Sequence, residues 1–254
     1  MKLINKYRSK NYNNRTKRLP VEYIIIHYTA IEKYEDAINH LCNLKNKVSS
    51  HFLINKKGII YNLVDTDKRA WHAGKSYWNG KTDINSRSIG IELDYLGKDL
   101  KNEKYDFKQI LALKKLLKIL LKKFHINNKN VLGHSDIAPY RKIDPGKNFP
   151  WKKLALQKLV YFPKKLNSSQ KKKLEAYFNL NFTKRNNKFK ILYMMEMIGY
   201  DVGLARHSSK NYYKLIKSYQ MHFDQKNVSG IEDTKTFNLI CSHYYSCIDL
   251  CENF

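Results

Sequence analysis

The sequence predicts an α/β fold: a mixed central β-sheet flanked by helices, followed by a small all-helical C-terminal domain. Three observations carry that prediction. Residues 21–29, VEYIIIHYT, are a continuous β-branched and aromatic run, the pattern of a central strand buried on both faces. Residues 106–124 place apolar side chains at helical spacing, with the lysines mostly on the opposite side. Beyond Trp151 the pattern is helical and no strand is convincing. These features divide the chain into an α/β domain at residues 1–160 and a helical domain at residues 161–254.

Taken in order, residues 1–20 are polar and read as an extended lead-in. The strand at 21–29 carries His27 near its C-terminal end. Residues 34–46 set Tyr34, Ala37, Ile38, Leu41 and Leu44 at helical spacing. Two short strands follow, 51–55 and 59–64, joined by a Lys-Lys-Gly turn. Residues 70–87 are a loop rich in Trp, Gly and Asn, and 88–93, SIGIEL, is another strand. The helix at 106–124 has Phe107, Ile110, Leu111, Leu113, Leu117, Leu120 and Phe124 on its apolar stripe. A short strand at 130–133 leads into the loop 133–146, GHSDIAPYRKIDPG. Strands alternating with helices build a mixed sheet with helices packed on it. Residues 151–167 form a short helix and a linker around Pro163, and helices follow at 168–179, 187–199, 209–224 and 233–245. Gly199-Tyr200-Asp201 and Val228-Ser229-Gly230 are the breaks between them, and Asp233 is the N-cap of the last.

Composition narrows the function classes. A hydrophobic fraction of 43% in 254 residues is enough for a packed core. The formal charge of +26 reads first as a Lys/Asn-rich composition bias, with lysines spread over solvated faces, and second as attraction to an anionic partner such as a nucleic acid or a cell-wall polymer. The lysines are scattered, however, and no nucleic-acid recognition motif stands out, so a specific nucleic-acid partner is not expected. No apolar run of about 18 residues exists, so no transmembrane span is expected. The start of the chain has no apolar signal segment, which favours a cytoplasmic location over the cell envelope. The cysteines are Cys42, Cys241, Cys247 and Cys251, with no CxxC pair for a zinc knuckle. A disulfide within the tail is one option, and reduced thiols are the default expectation.

The loop 133–146 is the richest in chemistry. His134 and Asp144 are good ligands for a divalent metal such as zinc, and Lys142 stands beside them. Two prolines and two glycines restrict the backbone, so the loop aims these groups at one point. A third ligand must come from elsewhere. His27 is the best candidate, because α/β sheets place their sites at strand C-termini. Two histidines and one carboxylate leave one tetrahedral position open, the arrangement of a catalytic zinc. Glu92 is the candidate proton acceptor, since a carboxylate in an apolar strand is costly unless it faces a site. Lys142 is the candidate donor to an oxyanion.

The segments IIIHYT, SSHFLI, WHAGKSYWNG, SIGIEL and GHSDIAPYRKIDPGKNFPW, in this order, resemble the zinc-dependent N-acetylmuramoyl-L-alanine amidases of the Amidase_2 group. The resemblance covers about residues 10–155. It implies an amidase fold shared with the peptidoglycan recognition proteins, many of which only bind. It implies Zn2+ as cofactor, held by His27, His134 and Asp144, with Glu92 and Lys142 as catalytic residues. Substrate contacts are expected at His72, Trp71, Asn85 and Arg141, with His51 in support. The implied reaction cleaves the amide between N-acetylmuramic acid, or its 1,6-anhydro form, and L-alanine in peptidoglycan or muropeptides. The segments IGYDV, SYQMHF and GIEDTKTFNLI resemble, more loosely, a helical peptidoglycan-binding module. The rival expectation for the tail is a helical appendage that packs on the catalytic domain. The residues leave stem-peptide preference and oligomeric state open.

Overall fold

The computed structural model describes residues 2–16, 19–97 and 104–248. In chain order the strands are β1 (Leu3–Ile4), β2 (Tyr12–Asn14), β3 (Tyr23–Tyr28), β4 (Phe52–Ile54), β5 (Ile60–Asn62), β6 (Lys68–Ala70), β7 (Ser88–Leu93) and β8 (Val131–Gly133). The helices are α1 (Tyr34–Cys42), α2 (Ile84–Arg87), α3 (Phe107–Lys123), α4 (His134–Ile137), α5 (Trp151–Ala155), α6 (Ser168–Asn181), α7 (Asn187–Ile198), α8 (Gly203–His207), α9 (Ser209–Phe223) and α10 (Thr234–Ile248). A six-stranded sheet runs in the order β1-β5-β4-β7-β3-β8, and β2 pairs with β6 in a separate ribbon. Within the large sheet β4 and β5 are antiparallel and every other neighbouring pair is parallel.

The expected mixed sheet with helices on it is present, and the period-two alternation of its strands explains how it is covered. Ile24 and Ile26 of β3 and Ile89, Ile91 and Leu93 of β7 point to one face, where they pack against Leu113, Leu116, Leu117 and Leu120 of α3. Each fully buried side chain of this kind contributes roughly 1.5–3 kcal/mol. Tyr23 and Ile25 point to the other face and join Leu192 and Met195 of α7, Leu215 and Tyr219 of α9 and Ile240 of α10 in a second core. The helical C-terminal region therefore shares one continuous apolar cluster with the sheet. A smaller cluster seats Ala37, Ile38 and Leu41 of α1 on Leu53, Tyr61 and Leu63.

Two expectations change. Phe107 and Leu111 are 77% and 41% exposed, and Ala112 and Leu116 take their places in the core. The buried arc of α3 is centred on Leu113, Leu117 and Leu120, which puts residues 107 and 111 beyond its edge. The polar lead-in is not bare: Leu3 pairs with Ile60, and Tyr12 pairs with Ala70. Its strands, two and three residues long, are too short to carry an alternation by which to read them. Cys42 and Cys241 are free thiols, and Cys251 lies outside the described residues. Among the described residues no helix is long and apolar enough to cross a membrane.

Candidate metal centre and active site

The register of the central strands brings the first two site residues together. Tyr23, Ile25 and His27 of β3 pair with Ser88, Gly90 and Glu92 of β7, so His27 and Glu92 stand side by side on one face at the strands' C-terminal ends. SIGIEL thus sends its large apolar side chains to the α3 layer and keeps Ser88, Gly90 and Glu92 for the site. β8 runs parallel on the other side of β3, with Gly133 opposite Ile26, and ends where α4 begins with His134. Asp144 returns to the same point because the loop is pinned. The Ser135 N–H donates to the Asp144 carbonyl at 2.9 Å, and the Tyr105 hydroxyl donates to the Pro145 carbonyl at 2.7 Å. Gly133 permits this return, since a Cβ there would lie 2.8 Å from Pro145 Cδ.

The three expected ligands converge. His27 Nδ1, His134 Nδ1 and Asp144 Oδ2 lie 3.0 Å from one another, and all three residues are buried. The neighbouring hydrogen bonds set the tautomers. Ser88 Oγ donates to the Ile84 carbonyl at 2.6 Å, so it accepts from His72 Nε2–H at 3.2 Å. His72 Nδ1 then carries a lone pair and accepts from His27 Nε2–H at 3.1 Å. The second ligand, His134, donates its Nε2–H to the Ala73 carbonyl at 3.1 Å. In the neutral rings both Nδ1 atoms are thereby left as lone pairs facing a carboxylate oxygen. Three acceptors this close repel unless a cation lies between them. Ligands about 2.0–2.1 Å from a tetrahedral metal stand about 3.3 Å apart, so the set fits a small divalent ion.

Electrostatics agree with that assignment. Burial, reinforced by His134, lowers the His27 pKa to about 4, which keeps the imidazole neutral. Burial alone raises the Asp144 pKa, but the charge and hydrogen bond of His134 and of His27, whenever the ring carries a proton, outweigh it and hold the carboxyl far below the usual range. Neutral imidazole and ionised carboxylate are the states a metal ligand needs. Glu92 is the opposite case. Burial and the nearby Asp144 raise its pKa to about 8, against the smaller effect of Lys142. Among the described residues Glu92 Oε2 has no hydrogen-bond partner.

These residues line a cleft of about 340 Å³. His27, His72, Glu92, His134 and Asp144 line it on one side and Arg141, Lys142 and Ile143 on another, while Ala37, His40 and Leu41 of α1 form a further wall. Sequence reasoning missed His40 as a lining residue. Its spacing from Ala37 and Leu41, which puts all three on one helix face, was the available signal.

The expected substrate contacts divide. Arg141 and His72 border the cleft, but His72 is 6% exposed and both its ring nitrogens have protein partners. It orients His27. Gly90 makes room for it, since a Cβ there would lie 2.5 Å from the His72 ring. Arg141 donates to the Ala73 and Lys75 carbonyls, fastening the loop against His134. Trp71 and Asn85 lie outside the cleft. Asn85 is buried, and its side-chain oxygen accepts the His72 and Ala73 amides at 3.1 and 2.8 Å. The Trp71 indole N–H donates to Asn13 Oδ1 at 2.6 Å. His51 sits behind His72, takes the Gly90 N–H on Nδ1 at 3.0 Å and is kept neutral by burial, with a pKa near 3. Sequence reasoning missed Arg15, whose guanidinium donates to the carbonyls of Thr66, Asn85, Ser86 and Ser88 and lies 3.0 Å from His51 Nε2. Burial lowers its pKa to about 10.

Known proteins have the same layout. The Amidase_2 family, N-acetylmuramoyl-L-alanine amidase, matches residues 17–147. The chain is 35% identical over 229 residues to the N-acetylmuramoyl-L-alanine amidase AmiD of Escherichia coli K12, covering 85% of this chain and 79% of that one. It is 44% identical over 105 residues to the 1,6-anhydro-N-acetylmuramyl-L-alanine amidase AmpD of the same strain, covering 41% of this chain and 55% of that one. The solved complex of E. coli AmiD with the substrate anhydro-N-acetylmuramic acid-L-Ala-D-γ-Glu-L-Lys superposes with a TM-score of 0.74 at 31% identity, covering 91% of each chain. AmpDh3 of Pseudomonas aeruginosa superposes with a TM-score of 0.75 at 29% identity, covering 94% of this chain and 95% of that one. The similarity reaches through the C-terminal helices as well as the sheet, and the chain belongs to the N-acetylmuramoyl-L-alanine amidase family.

Proposed function

We propose that this amidase is a zinc enzyme. Its substrates are muropeptides, the 1,6-anhydro form among them, and the bond it cleaves joins the lactyl carbonyl of the muramic acid to L-alanine. The convergence of His27 Nδ1, His134 Nδ1 and Asp144 Oδ2 within 3.0 Å of one another carries this reading. Zinc held by these three atoms would supply Lewis acidity to the cleft. Glu92 takes the proton of the attacking water and returns it to the departing L-alanine amine. Its raised pKa suits both halves of that task, because a group titrating near neutrality both accepts and donates. The Lys142 ammonium, at the cleft beside Glu92 and Asp144, faces the negative charge that develops on the carbonyl oxygen. His72 and Ser88 keep the His27 ring in one orientation throughout.

Two related structures support the anhydro substrate: AmiD was solved with an anhydromuramyl tripeptide, and AmpDh3 with an anhydromuramic pentapeptide. The test is mass spectrometry of the products from anhydro-N-acetylmuramic acid-L-Ala-D-γ-Glu-L-Lys. Release of the intact tripeptide and the free anhydro sugar supports the assignment. Cleavage within the peptide, or no cleavage by the zinc-loaded protein, contradicts it.

A further inference from the structure

His134 opens a helix of four residues, His134–Ile137, preceded by a glycine. One isolated turn does not hold itself, because helix nucleation is unfavourable until further turns follow. Gly133 offers no capping side chain, so the turn needs partners from outside. Its Asp136 is fully buried and accepts three hydrogen bonds. Oδ2 takes the Gly133 N–H at 2.7 Å and the His222 Nδ1–H at 2.8 Å, and Oδ1 takes the Tyr200 hydroxyl at 2.7 Å. One residue closer to the ligand, the Ser135 carbonyl accepts the Ser218 hydroxyl at 2.6 Å. Ser218 and His222 lie on α9, and Tyr200 follows α7, so these three donors come from the C-terminal helices, while on the sheet side the Ser135 N–H donates to the Asp144 carbonyl and the Tyr77 N–H to the Ile137 carbonyl, each at 2.9 Å.

Those partners are themselves fixed. The His222 ring stacks between Trp151 at 3.7 Å and Phe223 at 3.9 Å. Tyr200 is fully buried with its ring edge against Trp78, 4.8 Å between centroids. The polar groups of this junction therefore have little freedom to follow a displaced α4.

We propose that Tyr200, Ser218 and His222 are positioning residues for the ligand His134, acting through Asp136 and the Ser135 carbonyl. The C-terminal helices are then a structural part of the metal centre. This rests on the zinc reading above.

The full chain tests it. Zinc affinity is measured by competition with a chromogenic chelator, and ligand geometry by the visible absorption of the cobalt-substituted protein. His222→Phe keeps the stacking and loses the donor, Tyr200→Phe loses one hydroxyl, and Ser218→Ala is the mildest change. Each is expected to weaken zinc binding by about tenfold, the low end for residues that orient metal ligands. Each should also shift the cobalt spectrum and lower kcat with KM unchanged. His222→Asn, which restores an amide donor at the Nδ1 position, should recover part of the loss. Tight wild-type binding with unchanged affinity and spectrum in Ser218→Ala and in every other folded variant overturns this inference alone, whatever happens to thermal stability. Failure of the wild-type protein to bind zinc overturns the metal reading, and this inference with it.

Discussion

His72 Nδ1 lies 3.1 Å from His27 Nε2, on the opposite side of the ring from Asp144. A residue of the WHAG segment thus braces the ring of His27, and we propose that its effect on the reaction runs through that ring. His72→Ala removes the acceptor that orients His27, so zinc affinity and kcat should each fall by about 10–100-fold. Chelator competition and steady-state kinetics check this. A raised KM with unchanged zinc affinity would return His72 to the role of substrate contact.

Gly90→Ala should act like a milder His72 substitution without touching any polar group. The new Cβ would stand 2.5 Å from the His72 ring, whose atoms are its three nearest neighbours. Overpacking of this kind costs about 1–3 kcal/mol. Urea denaturation should show that loss and metal titration a weaker site. Wild-type values for both would mean that the ring is not confined by β7.

Glu92 makes stability depend on pH in the metal-free protein. Its folded pKa is raised from 4.5 to about 8, so below pH 4.5 both folded and unfolded chains hold the proton and stability is full. Between pH 4.5 and 8 the unfolded chain releases the proton and the folded chain keeps it. Stability then declines as pH rises, by up to about 1.4 kcal/mol per unit, and the loss is complete above pH 8. Chelator-treated Glu92→Gln should lack this slope, while the zinc-loaded variant should lose about 10²–10⁴ in turnover. Denaturation curves of variant and wild type at pH 5 and 9 decide the first point. Equal slopes in the two proteins would place the carboxyl elsewhere than in a buried site.

Lys142 borders the cleft without belonging to the donor set. Lys142→Ala should keep zinc bound and lower kcat by about 10²–10³, the range for removal of one oxyanion donor. Metal analysis of the purified variant alongside its kinetics checks both halves. Loss of zinc from the variant would contradict the role given to the ammonium.

Much of this site is legible in the sequence because its residues break local rules. Glu92 is a carboxylate in an apolar strand, and His27 ends a run of isoleucines, so each announces a reason to be buried. Asp144 and His134 share a loop whose prolines and glycines restrict it. What the sequence hides depends on distant partners. Arg15 sits in a polar segment, and only the fold delivers it to the Ser88 carbonyl and the His51 ring. Asn85 is of a type that suits a substrate contact, yet its side-chain oxygen is taken by the amides of residues 72 and 73. Phe107 and Leu111 fit a helical stripe, but the stripe's centre is set by which arc of α3 meets the sheet. The C-terminal helices read as a separate unit by composition, whereas their apolar side chains complete the core over Tyr23 and Ile25.

The most direct measurement of the central claim is calorimetric titration of the chelator-treated protein with zinc, set beside the same titration of Asp144→Ala and His134→Ala. Tight binding at one zinc per chain is expected in the wild type and a large loss of affinity in both variants, with tripeptide release restored in the wild type as the site fills. Full cleavage by the metal-free protein, or zinc binding unchanged by either substitution, would contradict it.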